Sequence, residues 1–399
     1  MEDDEAPGRW PMLVLLALAE LLGMSLWFAA SAVSTQYQQA WSLTASEAAW
    51  LTTAVQLGFV GGTAVSAVLN LADIVAARRL FAGSALLAAG CNAMVLSAHG
   101  LETALLWRAL TGGCLAGVYP PAMKMIATWF RARRGMAVGT IVGALTVGKA
   151  LPYLVKAVPG ATIANVTLAA SVGAVVAAVI VWRGYRDGPY AFPPRRFSWQ
   201  LVGDVAREPR WRLAMGGYLG HMWELYAAWT WLPVFVAASV AAQGVDARTA
   251  GVRASVLAFC ALAVGGAGCI WGGVVADRRG RAWLVNTAMF VSGLCSLGIG
   301  AAFGRSLWLL APIALVWGFF VIADSAQFSV MITESVPAHA VGTALTLQTS
   351  LGFLLTAGVI QLVPLLEARV GWPWAFTMLA LGPMVGIASI KALTDKRFD

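Results

Sequence analysis

Predominantly apolar runs occupy positions 12–34, 46–70, 80–98, 101–128, 135–157, 162–182, 212–238, 250–275, 282–302, 306–333, 341–364 and 372–391, each followed by a short polar break. A helix needs roughly 20 apolar residues to cross the hydrocarbon core of a bilayer, and each run is close to that length. The pattern predicts an all-α membrane protein of twelve transmembrane helices. The longest interruption, 183–212, is rich in arginine and holds Pro189, Pro193, Pro194 and Pro209, so it reads as a connection between two sets of six. The expected division is 1–190, a linker at 191–209, and 210–399.

Composition narrows the class. The 399 residues are 59% hydrophobic and only 12% charged, with 42 Gly and 16 Pro. Ordinary soluble domains carry about 25% charged residues, which excludes a water-soluble fold. A formal charge of +8 would point to nucleic acid in a soluble protein. Here the basic residues mark orientation instead. Arg9, Arg78, Arg79, Arg131, Arg133, Arg134, the linker arginines, Arg278, Arg279, Arg281, Lys391, Lys396 and Arg397 share one side. Only Arg248, Arg253, Arg305 and Arg369 fall on the other. The positive-inside rule then makes both termini and the linker cytoplasmic, with a bacterial inner membrane as the expected setting and no nucleic-acid partner. The five cysteines lie inside apolar runs, so neither a disulfide framework nor a metal site is implied. The first apolar run exceeds a signal-peptide core and is read as an uncleaved span.

The two sets repeat one another. Glu20-Leu21 recurs as Glu224-Leu225, Trp27 as Trp231 and Asp73 as Asp277, all 204 positions on. Val138-Gly139-Thr140 recurs as Val341-Gly342-Thr343. Parallel repeats imply two pseudo-symmetric six-helix bundles with a site between them near the midplane.

After the eighth run stands Gly273-Val-Val-Ala-Asp277-Arg278-Arg279-Gly280-Arg281. Glycine suits the tight turn, and an aspartate at a helix end can pair with nearby arginines and part from them when the bundles move. This run resembles the signature loop of the major facilitator superfamily. The first-half copy keeps Asp73, Arg78 and Arg79 but has Leu69 and Ala76 at the glycine positions. In the fourth run Arg108, Gly112, Ala116 and Gly117 look like the superfamily's arginine-and-small-residue pattern. The resemblance implies the twelve-helix transporter fold, a latch at Gly273, Asp277, Arg278, Gly280, Arg281 and Asp73, and proton coupling for an arginine such as Arg108. A purely structural, paired Arg108 is the other reading. The fifth run lacks the adjacent Gly-Pro pair of drug-exporting members and the asparagine of nitrate-transporting ones.

Ionisable residues deep inside spans are functional candidates because hydrocarbon penalises them. Glu20 and Glu224 occupy equivalent places. His221, three residues before Glu224, and Trp231, seven after it, share its helical face. A carboxyl out of water can exchange a proton near neutral pH, so Glu20, Glu224 and His221 form the proton-coupling set. The rival reading locks each glutamate in a hydrogen bond between helices. Lys149, near the midplane of the fifth run with Tyr153 one turn on, has no counterpart in the second half. It either meets an anion or pairs with Glu20, Glu224 or Asp324. Asp324 and Gln327 form a polar centre in the tenth run, and Trp27 and Trp231 are candidate cage walls. The substrate-binding set is therefore Lys149, Arg108, Tyr153, Trp27, Trp231, Asp324 and Gln327.

These residues lead to a secondary active transporter of a small solute, an organic or inorganic anion, coupled to protons or a counter-solute by rocking of the two halves. It needs no cofactor and acts as a monomer in the lipid bilayer. Without a Gly-x-x-x-x-Gly-Lys-Ser/Thr loop, a gradient supplies the energy. A proton-antiporting exporter of lipophilic compounds is the alternative. An integral-membrane enzyme is the remote one, since no nucleophile, base or metal cluster stands out.

Overall fold

A computed structural model describes residues 6–131, 133–190, 198–337 and 339–395, apart from the side chains of Ala72, Asp73 and Arg134. The expected latch role of Asp73 and most of the loop before Ser198 therefore lie outside the described residues. Every regular element among the described residues is a helix. Among the described residues, eleven helical segments are long and apolar enough to cross a membrane: Arg9–Leu26, Ala45–Val68, Ala77–Ser97, Gly135–Ala157, Ile163–Gly184, Pro209–Ala241, Ala247–Arg279, Arg281–Ala302, Leu307–Glu334, Val341–Val370 and Trp372–Asp395. In chain order these are spans 1–3 and 5–12. The fourth place belongs to two shorter helices, Leu101–Leu115 and Tyr119–Ala127.

That break corrects the expectation of one continuous helix over 101–128. Pro120 and Pro121 open the second piece. A proline ring clashes with the carbonyl four residues back and brings no N–H, so two in a row sit most easily at a helix start. Span 1 breaks too, through a 3-10 turn at Met24–Leu26. Span 10 breaks at Asp324, which ends Leu307–Ala323 and precedes Ser325–Glu334. Within the stretch expected to be linker, a short helix runs from Trp199 to Arg207, and span 7 starts at Pro209.

The repeat is visible in the packing. A Cβ on Gly112 of span 4 would fall 1.9 Å from the Val55 carbonyl oxygen of span 2, and one on Gly318 of span 10 would fall 1.9 Å from that of Ala261 in span 8. Both members of the second pair lie 206 positions beyond the first. Small residues here let backbones touch, which is how helices associate where lipid removes the hydrophobic driving force.

The two halves meet along two seams. Spans 5 and 8 touch towards the arginine-rich face, where Gly143 and Gly266 face each other's carbonyls. Spans 2 and 11 join near the opposite face. There Ser46 Oγ donates to Gln361 Oε1 at 2.7 Å, and Thr356 Oγ1 donates to Gln56 Oε1 at 2.8 Å. Towards the arginine-rich face spans 2 and 11 part around a cavity of about 390 Å³, lined by Thr63, Asn70, Thr343 and Thr346 and bordered by Trp199 of the short helix. One turn deeper along the same two spans, the rings of Phe59 and Phe353 meet at 5.1 Å.

Candidate functional site

Lys149 sits where the halves converge, and its side chain is 3% exposed. Next to it, Gly148 lets span 5 press on span 1: a Cβ there would fall 2.2 Å from the Leu21 carbonyl oxygen. That crossing places Glu20 and Lys149 next to the two residues that make one contact. The Lys149 ammonium donates to Tyr226 Oη of span 7 at 2.5 Å. It also lies 4.3 Å from the ring centre of Trp27, 4.9 Å from that of Tyr226 and 5.7 Å from that of Trp229. Aromatic faces attract cations, and the attraction strengthens out of water. No carboxylate forms an ion pair with Lys149 among the described residues, so the alternative of a partner in Glu20, Glu224 or Asp324 is not realised.

The rings form one cluster. Trp27 meets Phe59 at 5.3 Å, Phe353 at 5.2 Å and Tyr226 at 5.8 Å. Phe28 meets Tyr153 and Trp229, each at 6.2 Å. Several polar atoms in and around this cluster have no partner among the described residues: Trp27 Nε1, Trp229 Nε1 and the Tyr153 hydroxyl, as well as both carboxyl oxygens of Glu20, two turns before Trp27 in span 1. Buried polar atoms are nearly always hydrogen-bonded, so a concentration of exceptions marks a place built for something besides packing.

Glu224 differs from its counterpart. Its Oε2 accepts from Ser292 Oγ and its Oε1 from Trp317 Nε1, each at 2.7 Å. The lock between helices weighed for both glutamates is thus realised for Glu224 and absent for Glu20. One turn earlier, His221 Nδ1 is 2.9 Å from Asp324 Oδ1, and both side chains are buried. His221 Nε2 has no partner among the described residues. Gln327 is buried; its backbone N–H donates to Asp324 O at 2.9 Å, and its side chain forms no hydrogen bond among the described residues. Asp324, expected against substrate, is instead held beside His221 at the break in span 10.

Two further expectations need correcting. Arg108, expected to meet substrate, is fully buried as a brace. Its Nε donates to Leu51 O at 3.2 Å and its two terminal nitrogens to Leu26 O at 3.0 Å, Asn92 Oδ1 at 3.0 Å and Trp27 O at 2.5 Å. The 3-10 turn in span 1 frees carbonyls that a continuous helix would satisfy, and in a membrane another group must satisfy them. The second is Trp231. It faces the second half alone, donating to Ile360 O at 2.8 Å with its ring 6.3 Å from that of Trp372.

At the signature loop Gly280 has φ +88°, a conformation that favours glycine. Asp277 and Arg278 are exposed, and Asp277 forms no ion pair among the described residues. Arg281 pairs instead with Glu334 at the end of span 10, 2.7 Å away. Gly273 packs beside Gly135 at the seam of spans 5 and 8.

Tyr226, Trp229, Phe28, Phe59 and Phe353 were not singled out from sequence. Tyr226 lies two residues after Glu224, about 200° round the helix. A choice of the Glu224 face points into the second half and away from Lys149. The three-residue spacing of Tyr226 and Trp229 was the available signal, but nothing in the sequence says which face of span 7 meets the other half.

Comparison with known proteins agrees with this architecture. The profile of the Major Facilitator Superfamily matches residues 15–360. The putative uncharacterized transporter YgaY of Escherichia coli (strain K12) is 31% identical over 181 residues, covering 43% of this chain and 44% of that protein. YgaY of Escherichia coli O157:H7 matches equally. The match thus spans less than half the length of these relatives. The crystal structure of the nucleoside transporter NupG superposes with TM-score 0.73 at 13% identity, covering 96% of this chain and 99% of that one. A bacterial homologue of the human lysosomal transporter Spinster, in an inward-facing and unoccupied conformation, superposes with TM-score 0.70 at 15% identity, covering 98% and 95%. At such identities the two structures speak for the fold. With the profile spanning most of its length and both bundles in place, this chain belongs to the Major Facilitator Superfamily of membrane transporters.

Proposed function

We propose that this protein is a secondary active transporter that carries a small organic or inorganic anion by alternating access, with Glu20 exchanging the coupled proton. The observation that carries the reading is the set of donors around Lys149. The rings of Trp27 and Trp229 lie against an ammonium that has no carboxylate partner among the described residues, and their indole N–H groups and the Tyr153 hydroxyl one turn along span 5 have no acceptor there. Positive charge among unmet donors is the chemistry of an anion site. An ionised carboxylate with no donor is costly to bury, so Glu20 is neutral while enclosed and ionises when the site opens to water. Glu224, held by Ser292 and Trp317, serves the scaffold of the second half. His221 and Asp324 add a second place for a proton at the break in span 10.

Residues 1–190 and 210–399 rock about the seams of spans 2 with 11 and 5 with 8. The distribution of basic residues supports a cytoplasmic side for both termini and the linker, in a bacterial inner membrane. One chain supplies the whole cage, which favours a monomer.

The test is uptake by proteoliposomes of a panel of small carboxylates and phosphate, with and without an imposed pH gradient. Saturable uptake of an anion, responsive to the gradient and lost in Lys149→Ala, is expected. Gradient-driven movement of lipophilic cations that survives Lys149→Ala overturns the reading. It would support export of lipophilic compounds, which the ring faces around Lys149 also suit.

A further inference from the structure

We propose that the Lys149–Tyr226 hydrogen bond is a clasp between the two halves, opened by the anionic solute, which makes Tyr226 a positioning residue for transport. The proposal rests on the anion reading above. Lys149 belongs to span 5 and Tyr226 to span 7, so their 2.5 Å bond crosses from one half to the other at mid-depth. Both side chains are buried. The Tyr226 ring also touches Trp27 at 5.8 Å, Phe28 at 6.3 Å and Phe353 at 5.1 Å, so its position sets that of the ring cluster closing the site.

An ammonium has three donors, and here one hydrogen bond reaches a neutral phenol oxygen while rings surround the rest. An arriving anion offers Lys149 a partner of opposite charge, where the phenol offers only a neutral oxygen. It displaces the phenol, so the seam loses its polar tie while the solute gains Lys149. A ligand shifts a conformational equilibrium only through contacts it makes better in one state, and exchanging a partner across the seam is such a contact.

Cys269 supplies an internal reporter. It is buried in span 8, and its carbonyl oxygen lies 3.5 Å from where a Cβ on Gly139 of span 5 would stand, on the seam that must part. In full-length protein with Cys91, Cys114, Cys260 and Cys295 replaced by serine, maleimide labelling of Cys269 reads the opening. Tyr226→Phe keeps the ring and removes the hydroxyl. It should label about tenfold faster, the scale expected from losing one hydrogen bond to a charged group. Lys149→Met, which removes the other partner, should do the same. Phosphate and benzoate serve as probes, and an effective one should speed labelling of the parent but not of Tyr226→Phe. Parent-like rates in both variants overturn the clasp even if an anion speeds the parent. Faster variants with no response to either anion uphold the tie between halves and remove the anion as its key.

Discussion

Glu20 and Glu224 stand at equivalent places in the two halves, yet Ser292 and Trp317 each donate to Glu224 at 2.7 Å while neither carboxyl oxygen of Glu20 has a partner. Duplication supplied two carboxyls, and the packing around them gave them different work. Glu224→Ala leaves a buried hydroxyl and a buried indole N–H unmet and should destabilise by about 2–4 kcal/mol. Glu20→Gln should leave stability nearly unchanged and abolish the response of transport to a pH gradient. Thermal unfolding in detergent and gradient-driven uptake separate the two effects. Loss of stability in Glu20→Gln without loss of coupling would reverse the assignment.

Arg108 holds the break in span 1 through the carbonyls of Leu26 and Trp27. Lysine cannot reproduce the planar fork that reaches several acceptors at once. Arg108→Lys should therefore fail to rescue Arg108→Ala, with each variant losing about 3 kcal/mol or more. Melting temperatures of the three proteins check this. Full recovery by lysine would mean that charge alone matters here.

Gly112→Ala and Gly318→Ala each drive a methyl into a backbone carbonyl of the neighbouring span. Overpacking of this kind costs about 1–3 kcal/mol, and more where backbone must move. Gly83→Ala is the control, because nothing lies within 4 Å of its added Cβ. It should be neutral or stabilising by about 0.5–1 kcal/mol. Thermal unfolding of the set tests whether the seats under Val55 and Ala261 are equivalent.

Asp246 caps span 8 from outside the membrane and accepts the Thr249 N–H at 3.0 Å. That bond holds its carboxyl below the usual carboxylate range. A group with a depressed folded value stabilises above its unfolded value, near 3.9, and loses that contribution as pH falls through the folded one. Asp246→Ala should melt below the parent at neutral pH, and the gap should close below about pH 4. A gap that persists in acid would exclude the charged cap as its source.

The resemblance to the signature loop was legible in Gly273–Arg281, but the partner its charge selects was not. Arg281 pairs with Glu334, 53 positions away, a residue with no motif around it. The break in span 4 was marked by adjacent prolines, whereas the breaks at Met24 and Asp324 carry no such residue. Arg108 was legible as an arginine too deep for hydrocarbon. Its partners were not, because three of them are backbone carbonyls, which every residue has.

The sequence alone determined the solvent, the number of crossings and the duplication. Hydrocarbon demands some twenty apolar residues in a row, and that demand is local. It also marked Lys149 and Glu20 as charges out of place. Only the tertiary structure decided what each of them meets. The Lys149–Tyr226 bond joins residues 77 positions apart. Whether span 7 turns Tyr226 or Glu224 towards Lys149 depends on how the helix is rotated against its neighbours, and that rotation is set by contacts spread over the whole seam.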